Sequence, residues 1–275
     1  CRELGFENTQ INLSDWENMV KAINSRDGEI QIALVGKYVK LHDSYLSIVE
    51  SLNHASFVVG KKLKIKWVDS DSVNDESASE IFSDCSGIIL PGGFGNRGIE
   101  GMISSCKYAR LHNIPYFGIC LGMQIAVIEF ARDVLNLKNA NSTEFDEQCE
   151  NPVIDLMKDQ EGVIKGGTMR LGKYPCRVKS GTIMQKAYGA VTIEERHRHR
   201  YEFNNNFRSK MEEAGLIIGG TSPDDSIVET VELPQKDSAI SHKFFIGVQF
   251  HPEFKSRPNN AGPLFVEFLK ACINY

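Results

Sequence analysis

Tyr116-Phe117-Gly118-Ile119-Cys120-Leu121-Gly122-Met123-Gln124 sets one cysteine between two glycines, two positions before it and two after. The apolar run Ile114 to Phe117 reads as a buried strand, and Gln124 to Arg132 reads as a helix. Gly-x-Cys-x-Gly between a strand and a helix is the nucleophile-elbow pattern with cysteine in place of serine. So sharp a turn favours flanking residues that lack a Cβ. It lifts the sulfur out of the core and sets it at a helix N-terminus, where the helix dipole favours a thiolate. A buried cysteine in a glycine-rich turn would carry the same five residues, so the elbow has to be read with its partners.

Outward from the elbow, the segments alternate. Glu29 to Val35 reads as a strand closed by Gly36. A helix starts at Asp43 or Ser44, carries Tyr45, Ile48, Val49, Leu52, Ala55 and Val59 on one face, and stops at Gly60. Leu63 to Val68 is a second strand, Asp69 to Glu80 a loop with a short helix, and Gly87 to Leu90 a third strand that ends in Pro91-Gly92-Gly93-Phe94-Gly95. Ile99 to His112 is a helix that leads back to the elbow. This order predicts an α/β fold with a mostly parallel central sheet and helices on both faces. Asn136 to Gly167 breaks the rhythm as an acidic stretch with loop character. Leu216 to Ile218, Ile227 to Leu233 and Phe244 to Phe250 read as strands, Asn204 to Ala214 as a helix, and Pro263 to Ile273 as a final amphipathic helix. At the other end, Ser14 with Glu17 three residues on spells a capping box ahead of Trp16, Met19, Val20 and Ile23.

The 275 residues are enough to bury a full core. With 36 acidic residues against 31 basic ones, nothing points to nucleic acid or an anionic membrane, and no run approaches the ~18 apolar residues of a membrane span. The seven cysteines show no C-x-x-C or paired zinc spacing, which predicts reduced thiols and a cytoplasmic location. The chain starts at Cys1 and reads as a fragment of a longer one.

A cysteine nucleophile needs a base, and the base needs an orienting group. Gln249-Phe250-His251-Pro252-Glu253 offers both at the end of an apolar strand. Residues two apart in extended chain share a side, so Glu253 can fix the His251 ring. The backbone N–H of Leu121, next to the nucleophile, is one expected oxyanion donor, and Gly93 in the glycine-rich strand-end loop is the other. That loop also matches G-x-G-x-x-G through Gly98. A dinucleotide site would need an acidic residue about 20 residues on, and Pro115 to Cys120 has none. Arg196-His197-Arg198-His199-Arg200-Tyr201, read as a strand, puts three arginines on one side and two histidines on the other. An arginine there could clamp a substrate carboxylate, although a solvated basic face has the same letters.

Together these residues resemble the class I, triad-type glutamine amidotransferases and, more narrowly, the C-terminal glutaminase domain of the CTP synthase family. The elbow and His251-Pro252-Glu253 carry the broader likeness. Gly167-Thr168-Met169-Arg170-Leu171-Gly172 and the Arg196 to Tyr201 segment carry the narrower one. The resemblance spans nearly the whole chain from Glu29 onward. No catalytic position departs from the pattern, whereas the acidic insert around Glu147 to Asp159 is less family-like. The resemblance implies residues 1–28 as a linker with a helix and 29–275 as the amidotransferase domain.

It further implies hydrolysis of L-glutamine to glutamate and ammonia through a thioester on Cys120. His251 would be the general base and acid, Glu253 its orienter, and Gly93 and Leu121 the oxyanion donors. Gln124 and Glu144 would recognise the glutamine α-amino end, and Arg200 its α-carboxylate. The ammonia would pass to a synthase domain of the same polypeptide, outside this chain, that aminates UTP with ATP and Mg2+. No cofactor is expected in the amidotransferase domain itself. GTP would be an allosteric activator, with the region near Arg170 responding to it, and the full-length enzyme would be a homo-oligomer. Two other readings use the same residues: a γ-glutamyl peptidase, and an interaction module that retains the fold without turnover.

Overall fold

The computed structural model describes residues 2–6, 11–156 and 169–275. The strands are β1 (Glu29–Gly36), β2 (Lys62–Asp69), β3 (Gly87–Leu90), β4 (Tyr116–Ile119), β5 (Ala140–Ser142), β6 (Asn151–Leu156), β7 (Arg170–Val178), β8 (Thr192–His199), β9 (Tyr201–Phe203), β10 (Ile217–Thr221), β11 (Val228–Glu232) and β12 (Phe245–Val248). The helices are α1 (Ser14–Asn24), α2 (Leu46–Val59), α3 (Ala78–Phe82), α4 (Ile99–Leu111), α5 (Leu121–Asp133), α6 (Ile183–Tyr188), α7 (Arg208–Glu213) and α8 (Pro263–Ile273).

One nine-stranded sheet runs in the order β2-β1-β3-β4-β12-β11-β10-β7-β8. Its first half, β2 to β12, is parallel and is the layer the alternating segments predict. From β12 to β8 every pairing is antiparallel, so the whole sheet is mixed. Alternate residues of each strand feed separate cores. In β1, Ala33 and Val35 face the core under α3, α4 and α5, while Ile30, Ile32 and Leu34 face the core under α2, α6 and α8. Helix α5 is buried from Leu121 to Ala131, as expected of a helix apolar on nearly every side. Its one buried acid, Glu129, is held by Arg110 through contacts of 2.7, 2.9 and 3.0 Å.

The acidic stretch is more ordered than its composition predicts. Its described part contains β5 and β6, which join β9 in a three-stranded sheet. Asp159, Glu161, Gly167 and Thr168 lie outside the described residues. The capping box at Ser14 is not formed. Asn12 Oδ1 instead accepts from Ser14 N at 3.0 Å, because the helix begins at Ser14 itself and the capping residue must precede it. None of the residues of α1 is buried. No helix among the described residues is long and apolar enough to cross a membrane.

His242 pins the approach to β12 onto α4. Its Nε2 lies 3.0 Å from the Ala109 carbonyl, which can only accept, and its Nδ1 accepts from Phe244 N at 3.2 Å, so the ring is neutral. Burial lowers its pKa to about 4. A histidine with a depressed folded-state pKa contributes stability that is complete above its unfolded value near 6.5 and is lost as pH falls toward 4. His242→Gln should therefore be less sensitive to acid than the parent. In urea unfolding, the gap between the two proteins should narrow by about 2 kcal/mol between pH 7 and pH 4.5. A gap that stays constant would show that another group carries the acid response.

Candidate active site

The elbow lies at the carboxyl end of β4, two residues further along than the apolar run alone suggests. Strand β4 pairs with β3 on one side and β12 on the other, and these ladders carry it to Ile119. Helix α5 then starts at once, at Leu121. Cys120 between them has φ 51° and ψ −98°, a conformation that costs a non-glycine residue about 1–3 kcal/mol. The surroundings over-determine it. Cys120 N donates to Val248 O at 2.7 Å, and Gln124 N closes the first helical turn onto Cys120 O at 3.2 Å. The two glycines allow the close approach: a Cβ on Gly118 would lie 2.5 Å from the Gly122 carbonyl, and one on Gly122 would lie 2.3 Å from Leu90 O.

Parallel pairing explains why a segment more than a hundred residues away arrives here. Phe245 to Val248 lie in register with Tyr116 to Ile119, so the residues after Val248 run beside Cys120. His251 is buried, and its Nδ1 lies 2.7 Å from Glu253 Oε1. Its Nε2 is also buried and has no hydrogen-bond partner. A Cβ on Gly92 would fall 2.9 Å from His251 Cε1 and 3.6 Å from Cys120 Cβ, so the imidazole and the cysteine meet over the same point of the glycine-rich loop. Burial works against the imidazolium, but the Cys120 sulfur and the Glu253 carboxylate outweigh it and raise the His251 pKa above its ordinary value. Glu253 itself is buried in the short 3-10 turn Pro252–Lys255.

The glycine-rich loop after β3 is tied down from two sides. Lys37 Nζ donates to the carbonyls of Phe94 (3.2 Å) and Gly95, and Glu144 Oε1 accepts from Gly95 N at 2.9 Å. Burial lowers the pKa of Lys37 to about 8, with Glu144 opposing the shift. A Cβ on Gly93 would meet Leu121 Cδ2 at 3.2 Å, which sets Gly93 beside the first residue of α5.

The antiparallel half of the sheet curls back across these strand ends. His251 N donates to Arg196 O at 2.8 Å, and the Cys120 thiol points to Arg198 O at 3.8 Å. Strand β8 alternates as its sequence predicts through His199, with His197 and His199 inward and Arg196 and Arg198 outward, but it ends there. Arg200 does not continue the outward row, and its Nε is buried beside His199, because the chain turns between β8 and β9. The two rings hydrogen-bond to each other at 3.2 Å, and His199 Nδ1 reaches Tyr201 O at 3.1 Å. Burial keeps both rings neutral, with pKa values pushed down to about 2 and about 3. Among the described residues, no group of three or more His, Cys, Asp or Glu side chains is arranged to hold a metal. Arg170, near the expected effector-responsive region, is buried against Glu229 at 2.7 Å and lies over the Tyr174 ring.

Two cavities share Cys120, Gly93 and Phe94. The larger, about 460 Å3, also has His251, Glu253, Arg198 and Tyr38 on its wall. The smaller, about 50 Å3, is lined by Gln124, Glu144, His199 and Arg200. The Nε of Arg200 is buried there without a hydrogen-bond partner. Apart from Leu121, which follows Cys120 in the chain, the candidate residues all line these two cavities. Two neighbours received no role from the sequence: Lys37, and Gln249, whose Nε2 lies 3.6 Å from Cys120 Sγ. The signal for Gln249 in the sequence was its place two residues before His251, in the segment that continues past β12.

A cysteine on a strained strand-to-helix turn, a buried histidine–carboxylate pair and a small polar cavity are the features that thiol acyl-transfer chemistry requires. The family model for class-I glutamine amidotransferases matches residues 40–271, and the chain belongs to that family. Its relatives include the CTP synthase of Clostridium acetobutylicum, 54% identical over 274 residues covering 99% of this chain and 50% of the relative. Another is the CTP synthase of Staphylococcus aureus, 52% identical over 267 residues covering 97% of this chain and 49% of the relative. The glutaminase domain of Trypanosoma brucei CTPS, solved with bound acivicin, superposes with a TM-score of 0.81 at 38% identity, covering 89% of this chain and 94% of that one. Within the family, the chain groups with the glutaminase domains of CTP synthases. It spans about half the length of the curated relatives it matches.

Proposed function

We propose that this chain hydrolyses L-glutamine to glutamate and ammonia, with Cys120, His251 and Glu253 as a catalytic triad. The convergence of the three side chains with a small polar cavity at one sulfur carries this reading. Arg200 pairs with the substrate α-carboxylate through its unpartnered Nε, while Gln124 and Glu144 take the α-ammonium. The side-chain amide then lies over Cys120. His251 Nε2 accepts the thiol proton as sulfur bonds to the amide carbon, and the carbonyl electrons move to oxygen. The N–H groups of Gly93 and Leu121 stabilise that oxyanion, each by roughly 3–4 kcal/mol. As the C–N bond breaks, His251 returns the proton to the departing ammonia, leaving a γ-glutamyl thioester. Water attacks the thioester with His251 again as base, releasing glutamate and regenerating the thiol. Glu253 holds the ring oriented throughout.

The same proposal extends to the rest of a CTP synthase. Residues 1–28 link to a synthase domain that uses the ammonia to aminate UTP with ATP and Mg2+, and GTP activates the glutaminase. The exposed helix α1, outside both cores, is in keeping with a linker.

A glutamine-analogue electrophile should label Cys120 alone, as read by peptide mass spectrometry. Burial pushes the Cys85 thiol up to about 12 and raises Cys106, Cys176 and Cys272 as well, so these thiols are poor nucleophiles. Stoichiometric label on another cysteine, or undiminished glutamine turnover after labelling of Cys120, would overturn the assignment.

A further inference from the structure

We propose that Gln249 positions the nucleophile and links it, through Gln124, to the occupant of the amino-acid cavity. This inference rests on the reading of Cys120 as the nucleophile. Gln249 is the first residue past β12 and is fully buried. Its backbone N–H is fixed by Glu229 O at 2.8 Å. The direction of its amide follows from its neighbours. The Tyr201 carbonyl can only accept, so it is the nitrogen of Gln124 that faces it, at 3.0 Å. That nitrogen gives its second hydrogen to Gln249 Oε1 at 3.4 Å. Gln249 Nε2 is thereby turned to the Cys120 sulfur at 3.6 Å. The Tyr201 carbonyl is steadied in turn by His199 Nδ1 at 3.1 Å.

Every link of this chain donates in one direction, from Gln124 to Gln249 to sulfur. Both Gln124 hydrogens are committed, which leaves its Oε1 to accept from a substrate ammonium. An ammonium bound there polarises the Gln124 amide, strengthens its donation to Gln249, and so strengthens the Gln249 hydrogen bond to sulfur. Such a bond is stronger to a thiolate than to a thiol. The α-ammonium of the substrate would therefore help to activate the nucleophile that attacks its far end.

The test is the pH dependence of Cys120 alkylation by iodoacetamide, a small neutral probe that needs no amino-acid site. The charged and titratable groups on the two cavities around the sulfur are His251 and Glu253 after β12, Arg198 and His199 of β8, Arg200 beyond it, Tyr201 of β9, Glu144 after β5, and Tyr38 and Tyr45 between β1 and α2. All of them remain when Gln249 alone is changed. Gln249→Met and Gln249→Leu should each slow alkylation at pH 7 about ten-fold and move the midpoint of the profile up by about one unit. Glutamine kcat should fall by a similar factor, with KM changed by less than about three-fold, because Gln249 does not touch the substrate. Gln124→Leu, which breaks the chain one link earlier, should shift the alkylation profile in the same direction and also raise KM. Alkylation profiles of the Gln249 variants that superpose on the parent would overturn the role of Gln249. Turnover persisting in Cys120→Ala would overturn the reading beneath it, so the two failures are distinguishable.

Discussion

Cys120→Ala should lower glutamine hydrolysis by roughly four orders of magnitude or more, the scale seen when an acyl-transfer nucleophile is removed. The change deletes only the sulfur. Alanine keeps the Cβ, so the backbone must still hold φ 51° and ψ −98°, and unfolding free energy should change by less than about 1 kcal/mol. Cys120→Gly separates the two roles of the residue. It is equally dead as a catalyst, but glycine adopts positive φ without the Cβ penalty, so it should be more stable than Cys120→Ala by about 1 kcal/mol. Ammonia release and urea unfolding on the three proteins check both halves. If Cys120→Ala were still active, the nucleophile would have to be sought elsewhere.

Gly122→Ala should be the most damaging single methyl added near the site. The new carbon would lie 2.3 Å from the Leu90 carbonyl oxygen and 3.0 Å from Leu90 Cβ, where the obstacle is the backbone of a central strand and no side chain can swing away. Helix α5 would have to lift from β3. Its buried residues pack on both sides of that contact, so the expected loss is about 3 kcal/mol or more, and Cys120 would shift relative to His251. Gly60→Ala is the control. Gly60 ends α2 with φ 71°, and a Cβ there meets nothing within 4 Å, so only the conformational penalty of about 1 kcal/mol applies. Equal destabilisation of the two variants would show that the close approach of α5 to β3 contributes nothing.

The contrast between these two glycines also separates what was legible in the sequence from what was not. Gly-x-Cys-x-Gly announced the elbow because a backbone contact that tight tolerates no Cβ, and the requirement is therefore written in the residue type. The inward and outward alternation of β8 was legible for the same reason, since successive residues of a strand face opposite sides. The extent of β4 was not, because it depends on the ladders that β3 and β12 provide. Nor was the order hidden in the acidic stretch, where β5 and β6 become strands by pairing with each other and with β9. Ser14 spelled a cap, but the helix starts one residue earlier than that reading requires: Leu13 takes the capping position without a side-chain bond, and Ser14 N is met by Asn12 Oδ1.

The sequence by itself determined the α/β alternation, the sharp turn at Cys120, and the nearness of Glu253 to His251, all of which arise within a few residues of chain. Only the tertiary structure decided that β12 lies parallel to β4 in register, that β8 folds over their ends, and that Gln249 is turned toward the sulfur. Those contacts join residues up to about 130 positions apart. Their positions are fixed by strand pairing and by which buried polar groups must satisfy one another, and neither is encoded at any single position.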